Sequence, residues 1–141
     1  MSTNTLETYI ETINDIKDYS EFVEWINSLS KQLTVDPSIR TPEHFVYGCQ
    51  VSTWFKCSID DNKLFFSFDS DSNFAKGVVK ILLDIINGST AEKIKKLSFY
   101  DLRQISRHLP TERQRTLQII LNKAHELANT TGETQWTLYH M

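Results

Sequence analysis

The sequence predicts an α+β fold, a small antiparallel sheet packed against several helices. Apolar residues recur at three-to-four spacing through the first third of the chain and again through its second half, the period of a helix face. Between them lie two runs rich in β-branched and aromatic residues, about 50–58 and 63–69. Asp60-Asp61-Asn62 separates these runs and favours a tight turn, so they pair as an antiparallel hairpin.

Each helix has its own spacing and caps. Thr5 to Lys17 places Leu6, Ile10, Ile13 and Ile16 on one face. Ser20 suits the N-cap of a second helix carrying Phe22, Ile26, Leu29 and Leu33. Residues 35–47 hold two prolines and no period, which predicts a loop. Asp69-Ser70-Asp71-Ser72 ends the hairpin and offers acceptors to the free N–H groups of a central helix. Phe74, Val78, Ile81, Leu82 and Ile85 form that helix's inner face, and Gly88 after Asn87 stops it. Ser89-Thr90-Ala91-Glu92 has capping-box spacing for a short helix, and Phe99 to Ile105 forms another. Thr111-Glu112-Arg113-Gln114 opens a long last helix with Leu117, Ile120, Leu121, Ala124 and Leu127 inward. The domain covers 1–128, and nothing places the tail 129–141, which holds Trp136, Leu138 and Tyr139.

Composition sets the class. A chain of 141 residues, 40% hydrophobic and 23% charged, is one globular domain. A formal net charge of −3 argues against a nucleic-acid partner. The most apolar stretch, Val78 to Ile86, is broken by Lys80 and Asp84, so no membrane span is expected. The N-terminus has no basic start followed by an apolar run, which makes the cytoplasm the expected compartment and reduced thiols the expected state.

The two cysteines differ in setting. Gly48 precedes Cys49 and can take positive φ at little steric cost, leaving the thiol at a loop tip before a strand. Cys57 falls within the strand and reads as a small buried hydrophobe. Eight extended residues span about 26 Å, far beyond the reach of a disulfide. No C-x-x-C, phosphate loop, dinucleotide fingerprint or HExxH helix is present, and no metal site is expected. His44 and His108 match no triad spacing. From the residues alone Cys49 has two readings, an inert loop thiol or a nucleophile. Trp25 and Trp54 read as core.

Three ordered blocks stand out. Pro42-Glu43, Val46, Gly48-Cys49-Gln50 and Trp54 form the first, Asp69-Ser70-Asp71 with Lys76-Gly77 the second, and His108-Leu109, Arg113 and Leu117 the third. Together they resemble the SufE type of sulfur-acceptor protein, the second block being similar to that family's start of the central helix. Two departures stand out: Val51 where the family often has serine, and Arg115-Thr116 where it has Asn-Gly, with the proline of that turn shifted to Pro110.

The resemblance implies a SufE-like fold and a sulfur carrier, not an enzyme in its own right. A pyridoxal-phosphate cysteine desulfurase of the SufS kind would hand persulfide sulfur to Cys49, and an iron–sulfur assembly scaffold would receive it. The carrier itself would need no cofactor, since the pyridoxal phosphate belongs to the desulfurase. It would act as a monomer or weak homodimer. Gly48, Gln50, Val46 and Trp54 would shape the loop and pocket, with Phe45, Val46, Tyr47, Val51 and Phe55 as an apolar lid. Asp71, Arg113 and His108 are the partner-binding candidates. Asp71 has a second reading as a helix cap, and Arg113 as a solvated first-turn charge. The rival functions are a thiol-dependent enzyme on a small substrate, and an iron–sulfur assembly scaffold or adaptor without sulfur transfer of its own.

Overall fold

The structure, a computed structural model, describes the backbone of residues 3–140 and the side chains of residues 5–130. Helices α1 (Thr3–Asn14) and α2 (Tyr19–Gln32) come first, followed by a 3-10 turn at Pro37–Ile39. The hairpin is β1 (Thr53–Asp60) and β2 (Lys63–Ser70), after which α3 (Asn73–Ile86) crosses the centre. Then come α4 (Ala91–Lys96), a 3-10 turn at Phe99–Leu102, α5 (Arg103–Ser106) and α6 (Thr111–His140). This is the α+β arrangement that the sequence predicts.

The hairpin register runs from Thr53 opposite Ser70 to Asp60 opposite Lys63. Asp61 and Asn62 are the two turn residues, with φ of 50° and 65°. A two-residue turn with both φ positive matches strand twist, and Asp and Asn tolerate it better than most residues. Asp60 therefore belongs to the strand. The inner face carries Phe55, Leu64, Phe66 and Phe68, with Phe55 and Phe66 stacked at 5.1 Å.

Helix α3 is the core. Nine of its residues are buried, among them Val78, Val79, Ile81, Leu82, Ile85 and Ile86, so it is apolar nearly all round, wider than the single face its spacing suggested. Helix α2 lies against it so closely that a Cβ on Gly77 would sit 2.0 Å from the Ile26 carbonyl oxygen.

Helix starts differ from expectation by a residue or two, each for a local reason. Asp18, not Ser20, caps α2: its carboxylate accepts from the Glu21 N–H at 2.8 Å. Of the predicted run Asp69–Ser72 it is Ser72 that caps α3, accepting from the Ala75 N–H at 3.1 Å. Thr90 caps α4, because the Ser89 carbonyl is taken by the Leu64 N–H of β2. Thr111 is already helical; the Pro110 carbonyl accepts from Arg113 and Gln114, and the Gln114 amide donates to the Leu109 carbonyl at 2.9 Å. Helix α6 continues through backbone positions 129–140. The docking of Trp136, Leu138 and Tyr139 falls outside the described side chains.

Gly77→Ala is expected to cost about 3 kcal/mol despite better helix propensity, because a backbone carbonyl cannot yield as a side chain does. A urea denaturation midpoint unchanged from wild type would contradict the close approach.

Candidate functional site

The segment leading to Cys49 is pinned before it reaches the thiol. Phe45 bridges Trp54 antiparallel, with the Val46 N–H donating to the Thr53 carbonyl at 2.9 Å. The Phe55 N–H donates back to His44 at 2.8 Å. Residues 47–52 thus form a loop closed at both ends, which is why β1 begins at Thr53 and not near Gln50. Val46 is buried at the base, while Tyr47 is 78% exposed and Gln50 is exposed. The expected apolar lid is therefore not formed by Tyr47.

Gly48 turns the loop with φ of 97°, and a Cβ there would meet Ile119 Cδ1 of α6 at 3.3 Å. Conformation and close packing both ask for glycine. Cys49 follows, half-buried and packed against the core. Burial pushes its thiol pKa up, and the Thr53 hydroxyl, the Arg113 charge and the Thr116 hydroxyl partly offset that. The net direction is upward, so the resting group is a thiol with anion-stabilising groups in place.

A charged network holds the loop's flank. Asp69 is buried at the end of β2, and Arg40 Nε meets its carboxylate at 2.7 Å. Lys76 Nζ lies 3.6 Å from the other oxygen. Burial raises the Asp69 pKa, but the Arg40 hydrogen bond, the Ser70 N–H and both cations outweigh it and hold the carboxyl below its usual range. Arg40 also reaches Asp71 at 2.8 Å and stacks over Trp54 at 4.3 Å. These partners drive its own pKa further up.

Several candidates change role in this setting. Asp71 caps nothing; its side chain is 56% exposed and pairs with Arg40, while its N–H donates to Ser52 at 3.0 Å. Arg113 is half-buried, not a solvated charge, and acts on Cys49 while donating to Thr116 Oγ1 at 3.4 Å. Trp54 is not core: it is half-buried between Arg40 and the Phe45 edge. Trp25 packs against the core edge beside Tyr9 and Phe22. His108 belongs to another place, a hollow of about 280 Å3 with Phe22 and Tyr19, where burial and Arg107 lower its pKa. Cys57 is half-buried against the core, and both cysteines are thiols rather than a disulfide. No cluster of three potential metal ligands occurs among the described residues.

Arg40, Thr53, Thr116 and Ile119 are site residues that sequence reading missed. Thr116 had a signal, since it lies three residues after Arg113 on one helix face. Arg40 had none, because its partners are twenty-nine and thirty-one residues away.

A family model described as the Fe-S metabolism associated domain, SufE, matches residues 7–128. The chain belongs to the SufE family. The sulfur acceptor protein CsdE of Escherichia coli is 25% identical over 99 residues, covering 69% of this chain and 67% of that protein. A SufE-like protein of Rhizobium meliloti is 24% identical over 127 residues, covering 84% and 91%. A chloroplastic quinolinate synthase of Nicotiana tabacum is 29% identical over 100 residues, 64% of this chain, which spans only 14% of that enzyme's length. In fold, the solution structure of a hypothetical protein from Thermus thermophilus matches with TM-score 0.75 at 13% identity, covering 92% of this chain and 97% of the other.

Two outcomes test the site's electrostatics. Asp69→Asn is expected to cost about 2 kcal/mol at neutral pH, less than a fully buried pair because Arg40 keeps 36% of its side chain exposed. The native pKa lies below the unfolded one, so this stabilisation is present at neutral pH and is lost as pH falls below the usual carboxylate range. The gap between wild type and variant should accordingly narrow in acid, and a constant gap would contradict it. Arg113→Glu should raise the Cys49 pKa further and slow its alkylation at neutral pH, read by peptide mapping; equal rates would remove Arg113 from the site.

Proposed function

We propose that this SufE-family chain is a sulfur acceptor in iron–sulfur metabolism that carries persulfide on Cys49. The donor is the persulfide of a pyridoxal-phosphate cysteine desulfurase, which the chain stimulates, and the receiver is an iron–sulfur assembly scaffold. The Cys49 thiolate attacks the outer sulfur of the donor persulfide. One sulfur–sulfur bond forms on Cys49 as another breaks, and the desulfurase cysteine leaves as thiolate. No external oxidant is consumed.

The observation that carries this reading is the state of Cys49 itself. A thiol half-buried in a pinned glycine loop, with a cation and two hydroxyls at hand, is shielded at rest and supported when charged. The desulfurase would supply the remaining step by opening the loop. Asp71, exposed beside that loop, is the residue we assign to the docking rim, and His108, in its separate hollow, is outside it. The thiols need a reducing compartment, in keeping with the cytoplasm. Among the described residues no helix is long and apolar enough to cross a membrane.

The test is incubation with a cysteine desulfurase, pyridoxal phosphate and free cysteine, followed by intact-mass measurement and peptide mapping. Wild type and Cys57→Ser should each gain sulfur on the peptide bearing Cys49, and Cys49→Ser should gain none. Sulfur mainly on Cys57 would overturn the assignment, and turnover of a small substrate without the desulfurase would favour the enzyme reading.

A further inference from the structure

The two long edges of the hairpin are finished differently. Along β2, Leu64 is bridged to Ser89: its N–H donates to the Ser89 carbonyl and its carbonyl accepts from the Gly88 N–H, both at 2.8 Å. The Asn87 side chain extends that cover, accepting from the Phe66 N–H at 2.8 Å and donating to the Phe66 carbonyl at 3.4 Å. Along β1 the cover is shorter. The stretch His44–Val46 takes the Thr53 carbonyl and the Phe55 N–H, and among the described residues no strand continues it beside Lys56–Asp60. Backbone groups alternate along an antiparallel strand, so Cys57 and Ile59 turn theirs to this same outer side. Ile59 is 40% exposed here, and Lys56, Ser58 and Asp60 are exposed as well. An open edge of this kind is a template for another strand.

The edge is complementary to itself. Lys56-Cys57-Ser58-Ile59-Asp60 has a cation at one end, an anion at the other, and apolar residues on either side of a central serine. We propose that it pairs with the same edge of a second copy of this chain, antiparallel about Ser58, so that two hairpins join in one four-stranded sheet. Ser58 then faces Ser58 of the second copy, Cys57 faces Ile59, and Lys56 faces Asp60. Asp60 already lies opposite Lys63 in the hairpin, so it comes to rest between two lysines. Among the described residues neither Lys56 nor Asp60 is in a salt bridge, and Asp36 acts on Lys56 only through space. The neighbouring registers are closed. Sliding one strand by two residues brings Phe55 into the ladder, whose N–H is held by His44, or else the turn residue Asp61 with φ of 50°. The pairing takes main-chain groups and leaves the Cys57 side chain half-buried against its own core. The two β1 strands start at opposite ends of the sheet, about 33 Å apart at ~3.3 Å per residue, so each Cys49 loop stays at its own end. The pairing is independent of the sulfur chemistry at that thiol.

The experiment is sedimentation equilibrium on the full chain, from dilute to millimolar solution. Wild type should show a monomer–dimer equilibrium that weakens with added salt. Lys56→Asp and Asp60→Lys should each weaken it about tenfold, because like charges then face each other at both ends of the ladder. Mixing these two variants should restore it, since every facing pair is again opposite in sign. Ile59→Pro removes an outward N–H that β2 does not use, and should abolish the dimer with the circular dichroism spectrum intact. Register is read by cross-linking on a Cys49→Ser, Cys57→Ser background under mild oxidation. Ser58→Cys should cross-link to itself, since facing residues of a non-hydrogen-bonded pair lie about 4.5 Å apart, within disulfide reach. Lys56→Cys should not, yet should cross-link when mixed with Asp60→Cys. A wild type monomeric throughout, a dimer that the charge variants leave unchanged, or Lys56→Cys cross-linking to itself as fast as Ser58→Cys overturns the pairing. Should Ile59→Pro fail to fold, the charge variants read the same edge.

Discussion

A carboxylate buried at the end of β2 has to be paired, and the way Asp69 is paired organises everything around the thiol. Arg40 comes from the segment before the loop, Lys76 from the first turn of α3, and Asp69 from the hairpin between them. Three separate pieces of chain are tied at one point. Leaving that carboxylate without a cation would cost several kcal/mol, so the pieces are held as a unit. Arg40 then extends the tie outward to Asp71 and flattens over Trp54, whose edge touches Phe45 at the loop base. The rigidity of the loop's base is electrostatic as much as hydrophobic.

On that base the loop itself is under opposing demands. In the function proposed above, a sulfur carrier must hide its cargo from small thiols, yet the attacking group must be a thiolate, and burial disfavours the thiolate. The site answers by burying Cys49 only halfway and bringing in Arg113, Thr53 and Thr116. Gly48 makes the fit against Ile119 that brings α6 to the loop. The start of α6 therefore bears on the thiol itself through Arg113, beyond flanking the loop.

The same domain recurs in different company. It fills most of a Rhizobium meliloti relative and about a seventh of a tobacco quinolinate synthase.

Much of this was legible along the chain. Helix periodicity, the Asp-Asn turn and the glycine before Cys49 are local properties, set within a few residues, and they determined the fold class and singled out the thiol. Ser72 fell within the predicted capping run, while other caps were missed by one or two residues where several acceptors compete, as at Asp18, and where a neighbouring strand claims a group, as at Ser89. The surroundings of Cys49 were not legible, apart from the motif cysteine, Arg113 and the Asp71 turn. Arg40 meets Asp69 across twenty-nine residues, and Ile119 lies against Gly48 in a loop more than sixty residues earlier. Nothing in local spacing encodes such meetings; they follow from how α6 and the hairpin pack on α3. The sequence by itself determined which thiol to single out, because a glycine-cysteine turn is local. Only the tertiary structure decided what surrounds that thiol, because charge and burial are sums over neighbours that the fold, not the chain order, brings together.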